Sequence, residues 1–430
     1  MYRIEKDYTK KKLWEDYCSE IIVEYNQSFD EGLDIEVYKP LFEECQKLPN
    51  NEYREKIADV LFEIIKNAEM RKDYKYNEPS EYNGITALCE GYELNGKVNQ
   101  DRIKEQIKGA WYGRIIGCLL GKCVEGWEKD KIKAHLEKTG NYPLSHYIDC
   151  GREYNGMPED DDTNYTVIYL MIVERYGRNF TPENIVDFWL HDISRDSVCT
   201  AETAARRNFI EGYYPPYSAV YKNPYREYIG AQIRADLFGY INPGNPRAAS
   251  EMAFRDACIS HIKNGIYGEM FVAAMIAAAA VTEDIKEIIN TGLSQIPKTS
   301  RLYEAVKRVI SNIEGGMTYE EFVKDIHTRY NESYIYDWCH TISNAEIVAA
   351  CLLFSCGDYE KGITLAVMAG FDTDCNGATV GSVIGMRNGC SCIDEKWLTH
   401  LGDSLETGIY HNRNLKISDT VDRIIKQANI

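Results

Sequence analysis

Gly109, Gly113, Gly117 and Gly121 recur every four residues in Ile107-Lys-Gly-Ala-Trp-Tyr-Gly-Arg-Ile-Ile-Gly-Cys-Leu-Leu-Gly121. That spacing keeps all four on one side of a helix. Glycine inside a helix costs about 1 kcal/mol relative to alanine. A whole face of it implies close backbone approach to another element. A membrane GxxxG reading fails, because Lys108, Arg114 and Lys122 interrupt the run. A phosphate-loop reading fails as well. Gly117-x-x-x-Gly121-Lys122 has the wrong spacing, and Cys123 follows where Ser or Thr is required. The stripe runs out at Lys122-Cys-Val-Glu125-Gly-Trp127. A glutamate leaving so tightly packed a helix is either a positioned acid or base, or a solvated charge.

Helix period persists along the chain. Ile107–Cys123, Thr163–Arg175, Val198–Ile210, Ala248–Ala280, Ser300–Ile313, Tyr319–Arg329, Ala345–Leu353 and Gly377–Met386 all carry apolar residues at spacings of three and four. The Ala248–Ala280 stretch is expected to break near Asn264-Gly265. Alternating β-branched runs are nearly absent, so the fold class is all-α. Long loops are expected at 138–162 and 212–247, and long loops in a compact domain usually carry function. Residues 1–100 read as an N-terminal helical extension, with Trp14, Tyr17, Ile21, Ile22 and Tyr25 in helical register and Tyr53 to Ala68 likewise. Residues 76–84 read as a loop within it. Residues 101–430 read as the main helical domain. The length of 430 residues accommodates both.

Two acidic clusters each open an apolar helix. Glu159-Asp160-Asp161-Asp162-Thr163 precedes Val167, Ile168 and Met171. Asp372-Thr373-Asp374-Cys375-Asn376 precedes Ala378, Val380, Val383 and Ile384. Asp and Thr are good N-caps, and acids near a helix N-terminus complement the dipole. A cap needs one such side chain, however, and here there are several in an apolar setting. Two unit charges ~4 Å apart repel by roughly 4 kcal/mol at an effective dielectric near 20. A cation would offset that. The donors are hard oxygens, which suit magnesium, manganese or calcium rather than zinc. Asp161, Asp162, Asp372 and Asp374 together carry the charge that two divalent ions would neutralise. Metal binding and simple capping both remain open from the residues alone.

The net charge of −18 argues against gripping nucleic-acid phosphates or an acidic membrane surface. The first residues, Met1 to Tyr8, are charged and show no apolar h-region. The most apolar run, Phe271 to Val281, is too short to span a bilayer. Fourteen cysteines without a CxxC pair read as reduced thiols in a cytoplasmic protein. His261 and His340, taken alone, are more often structural than catalytic. HExxH, GxSxG and dinucleotide fingerprints are absent.

Together these segments resemble the ADP-ribosylglycohydrolase family over about residues 105–410. The glycine-striped helix leading to Glu125 is similar to its N-terminal motif. Asp160-Asp-Asp-Thr163 resembles its Thr-Asp-Asp-Thr metal motif, and Gly370-Phe-Asp-Thr-Asp-Cys375 its Gly-Gly-Asp-Thr-Asp-Thr motif. Gly230-Ala-Gln-Ile-Arg234 is similar to its central Gly-Ala-x-x-Arg loop, and Ser-His261 to its Thr-His position. The resemblance implies an orthogonal helical bundle around two magnesium ions, with manganese as an alternative. It implies hydrolysis of an ADP-ribosyl or other ribosyl bond, with Glu125 and Asp161 as catalytic residues. The implied metal residues are Asp160, Asp161, Asp162, Asp372, Asp374 and Cys375. Gly230, Ala231, Arg234 and His261 would bind substrate.

Three departures point to a divergent branch. Cys375 replaces a threonine, and a neutral thiol is a poor magnesium ligand. Asp160 replaces another threonine, and Lys122 stands where many members have aspartate. The alternatives are therefore a hydrolase of another ribosyl or nucleoside-like glycoside, and a non-catalytic ADP-ribose-binding protein on the same fold. The aromatic loop Tyr213–Tyr225 either stacks a base and shapes the cleft, or is a packed lid.

Overall fold

A computed structural model describes residues 6–8, 14–91, 94–151 and 156–428. Positions 1–5 of the charged N-terminal segment and 152–155 of the 138–162 loop lie outside the described residues. Twenty-one α-helices, several short 3-10 turns and one two-stranded sheet, Leu405–Glu406 against Asn414–Leu415, make up the regular structure of the described residues. The all-α expectation holds.

Eight helices carry the argument. They are α1 (Ile21–Asp30), α2 (Ile103–Lys122), α3 (Asp161–Tyr176), α4 (Thr200–Ile210), α5 (Pro246–Ala257), α6 (Lys263–Ala279), α7 (Thr341–Ser355) and α8 (Thr373–Asn388). The periodic runs fall on helices of nearly the expected extent, and helix Tyr319–Arg329 matches its run end to end. The long alanine-rich stretch breaks at residues 258–262, between α5 and α6, slightly before Asn264-Gly265. There Lys263 adopts a positive φ of 43°, and Asn264 is held by the Glu227 carboxylate. The 212–247 segment is not one loop. It contains the 3-10 turns Tyr217–Ala219 and Gln232–Arg234 and the short helix Asp236–Tyr240.

The glycine stripe of α2 meets a second one on α8. A Cβ at Gly113 or Gly117 would land on the backbone of Gly381 or Gly377, and the reverse is true as well. Gly109 meets Gly385 and Gly389, while Gly121 meets Thr373 and Asp374. The two helices therefore run antiparallel at backbone contact. The C-terminus of α2 lies against the N-terminus of α8, and Thr373 Oγ1 donates to the Gly121 carbonyl at 3.0 Å. That contact carries Glu125 to the second acidic cluster.

The main core surrounds this pair. α6 is buried on almost every side, with Ile266, Met270, Phe271 and Met275 at its centre. A smaller core of Tyr17, Ile21, Tyr25, Phe42, Leu61, Phe62 and Ile65 lies in the N-terminal layer. The aromatic loop packs onto this layer: Tyr213 stacks on Tyr221 at 4.0 Å, and Tyr221 meets Phe62 edge-on.

One expectation is corrected outright. Cys123 and Cys150 form a disulfide, although all the thiols were expected to be reduced. They are 27 residues apart, and the tertiary structure brings Cys150 back to Cys123, just past the end of α2. The other twelve cysteines are free.

Candidate active site

The two acidic clusters converge. Asp160, Asp161, Asp372, Asp374 and Cys375 line one cleft of about 610 Å³, together with Glu125 from the end of α2. Capping accounts for only one of these carboxylates. Asp160 is the N-cap of α3, its Oδ1 accepting from the Asp162 N–H at 2.9 Å. Asp372 stands at the N-cap of α8 but makes no side-chain cap bond. Asp161, Asp372 and Asp374 are thus brought together without being needed to end a helix.

Asp162 is fully buried and turned inward. Its Oδ1 accepts from Arg114 of α2 at 2.9 Å, and its Oδ2 is buried without a hydrogen-bond partner among the described residues. Arg114 is shared with Asp236 at 2.8 Å. Cys118, Asp160, Asp162 and Asp374 offer ligand atoms all within 4.8 Å of one another, and Asp372, Asp374 and Cys375 form a second such group. Asp372 Oδ1 is also buried without a partner. Orphaned carboxylate oxygens in two adjoining groups fit hard divalent cations. Cys118 escaped the sequence reading because it lies on the apolar helix, one turn before Lys122.

The crowding shows in the proton affinities. Burial, then Asp160 and Asp374, push Asp161 up to about 7. Burial and the charge of Asp374 push Asp372 well up, and burial with Asp160 raises Asp374. Asp374 is the main cause of a raised Glu125, followed by burial, Asp160 and Asp161. Burial raises the Cys375 thiol well above its usual range, so it stays neutral. Lys122 answers part of the charge through an ion pair with Asp160.

The segment Phe371–Asn376 is held from behind. Asn344 of α7 accepts from the Asp372 N–H at 3.3 Å and from Asn376 Nδ2 at 2.8 Å. The Trp338 indole donates to the Phe371 carbonyl at 2.9 Å, and Trp338 itself lines the cleft.

The expected substrate residues divide. Gly230 lines the cleft. A Cβ there would lie 2.6 Å from Glu202 Oε2, so glycine leaves room for that carboxylate. Ala231, Arg234 and His261 are fully buried behind the wall rather than on it. Arg234 donates to Glu202 and Asp256 at 2.7 Å each and lies 3.7 Å from Glu269. The guanidinium is thus turned toward interior carboxylates, behind the cleft wall. His261 is held by Ser260 at 2.8 Å, and burial keeps it neutral. Glu202 of α4 is the residue that the sequence reading missed. It lines the cleft, and burial raises it to about 7 despite Arg234. Trp14 from the N-terminal layer also reaches the cleft, whereas no residue of the loop Tyr213–Tyr225 lines it.

Residues 99–428 match the family described as ADP-ribosylglycohydrolase. A protein of Archaeoglobus fulgidus, described as uncharacterized, is 23% identical over 329 residues, covering 74% of this chain and all of its own. A solved structure described as an ADP-ribosylglycohydrolase-related protein complex matches with a TM-score of 0.50 at 19% identity, covering 76% of this chain and 99% of its own. At that identity the likeness speaks for the fold.

Proposed function

Since the chain belongs to the ADP-ribosylglycohydrolase family, and so to the glycoside hydrolases that act on ADP-ribosyl bonds, we propose that the acidic cleft releases ADP-ribose from a modified protein side chain or a small conjugate. The observation that carries this is the convergence of Asp160, Asp161, Asp372, Asp374 and Glu125 on one cleft. We also propose that two magnesium ions, with manganese as a substitute, bind Asp161, Asp162, Asp372 and Asp374, with Asp160 at their edge. Bound there, such ions would neutralise the carboxylates, orient ribose hydroxyls and acidify a water.

The protein's own groups supply the rest. Glu125 lines the cleft beside Asp374, and there it passes a proton to the leaving group or takes one from the water. Glu202 faces the same space from the opposite element and is fixed by Arg234. A raised carboxylate beside an oxocarbenium-like centre can stabilise positive charge or take a proton from water. Cys375 contributes volume rather than charge. We place the enzyme in the cytoplasm, in keeping with its twelve free cysteines, and treat residues 1–100 as an extension that supports the cleft through Trp14.

The test is turnover of an ADP-ribosylated peptide with and without a chelator, in wild type, Asp372→Asn and Glu125→Ala. Loss of turnover in all three depleted states is expected. Unchanged turnover in Asp372→Asn removes the metal role. Turnover of nucleosides but not ADP-ribosyl substrates replaces the substrate assignment with the riboside reading.

A further inference from the structure

Trp14 comes from outside residues 99–428, the part of the chain that the family match covers, yet it lines the acidic cleft. It packs against the main core, whereas its neighbours Tyr17 and Cys18 belong to the smaller N-terminal core. Its φ of 64° lies in the left-handed region, which is costly for a bulky residue and persists only where the surroundings hold it. The hold is visible at the next residue. Arg195 Nε donates to the Glu15 carboxylate at 2.7 Å, and Arg207 of α4 donates to the Glu15 carbonyl at 3.3 Å.

Arg413 reaches the same cleft from the other end of the chain. Its carbonyl accepts from the Thr407 N–H at 2.9 Å, just before strand Asn414–Leu415. This hairpin docks beside the turn that holds Glu15: the Ser194 N–H donates to the Gly408 carbonyl at 3.0 Å, and Ile193 bridges to Ile409. Segment 193–197 therefore seats both Trp14 and the hairpin that carries Arg413, and its own Ser194, Asp196 and Ser197 line the cleft.

Lys122 and Arg413 are the two basic residues lining the cleft. Lys122 is engaged by Asp160. Arg413 is exposed, and among the described residues its guanidinium has no ion-pair partner. An arginine left over at the cleft of so acidic a chain is available to an anionic group of the ligand. The cleft of about 610 Å³ falls within the roughly 300–1,000 Å³ of sites that enclose whole ligands. A ribose at the carboxylates fills only part of it. We propose that Trp14 and Arg413 form the distal part of the substrate site, where the planar base of a nucleoside-diphosphate ribosyl group stacks on the Trp14 indole and its diphosphate takes the Arg413 guanidinium. This rests on the ADP-ribosyl reading of the cleft, and adds that the N-terminal layer itself touches the substrate.

Calorimetric titration of the full-length protein with ADP-ribose, in a magnesium buffer that neutralises the carboxylates, tests this. Trp14→Ala weakens binding about tenfold, the loss of one base stacked on a ring, and Trp14→Phe stays within about threefold of wild type. Arg413→Gln weakens binding about fivefold and flattens the fall of affinity with added salt. Magnesium affinity, titrated alone, stays within about threefold of wild type in all three variants. ADP-ribose that binds wild type and Trp14→Ala equally overturns the Trp14 contact and leaves the ADP-ribosyl reading standing. Joint loss of magnesium and ADP-ribose affinity in Trp14→Ala overturns it too, since the residue then only supports the cleft. Indifference to Arg413→Gln overturns the diphosphate contact. Wild type that fails to bind ADP-ribose overturns both this subsite and the reading beneath it.

Discussion

The carbonyl of Gly377 occupies the place where Gly117 would carry a Cβ, and the carbonyl of Gly117 occupies the reciprocal place at Gly377. This backbone-to-backbone seam between α2 and α8 holds the end of α2, with Lys122 and Glu125 beyond it, against the second acidic cluster. Gly117→Ala is expected to force the helices apart and to lower unfolding free energy by about 1–3 kcal/mol or more, since backbone cannot yield as a side chain can. Gly91→Ala, with nothing within 4 Å of the added carbon, is the control and should stay within about 0.5 kcal/mol of wild type. Urea denaturation midpoints of both variants check this.

Lys122 neutralises Asp160 at the cleft edge. Removing an ammonium from beside a cation site favours a competing cation. Lys122→Met is expected to tighten magnesium binding about tenfold, a fraction of the full Coulomb energy at such a distance. Magnesium calorimetry measures it. Weaker binding in the variant means that Lys122 orients Asp160 rather than competing for it.

Arg234 is the sole cation hydrogen-bonded to Glu202 and Asp256 among the described residues. Arg234→Met strands buried charge and is expected to cost about 3–5 kcal/mol of stability. A substrate-contact role would instead lower kcat/KM and leave the denaturation midpoint in place, so the midpoint decides between them.

Glu202 and Asp161 are each raised to about 7, above their ordinary carboxylate values. The folded state then binds protons more tightly than the unfolded chain. Their stabilising contribution is complete below the unfolded value and is lost as pH rises through 7. Metal-free protein is therefore expected to melt at a lower temperature at pH 8 than at pH 6. Magnesium binds the ionised form and should narrow that gap. Thermal melts at both pH values, with chelator and with magnesium, test the sign. A chelated protein that is more stable at pH 8 would contradict it.

Much of the fold was legible because helix period is local. The runs at Tyr319–Arg329 and Thr163–Arg175 follow from residues three and four apart, whatever the rest of the chain does. The carboxylates at the starts of α3 and α8 were legible for the same reason, as a surplus over what capping needs. The break between α5 and α6 was placed a few residues late, because a Glu227 contact from outside the segment sets the start of α6.

By itself, then, the order of residues determined which stretches are helical, that one helix bears a bare glycine face, and that acids crowd two helix starts. It could not show what that bare face meets. Only the tertiary structure decided that α8 bears the matching stripe, that Arg234 turns inward to hold Glu202, that Cys118 joins the acidic group, and that Cys123 finds Cys150. The physical reason is range. Periodicity and capping are set within a turn or two of helix, whereas charge pairing and backbone contact depend on which distant surfaces the collapsed core brings together.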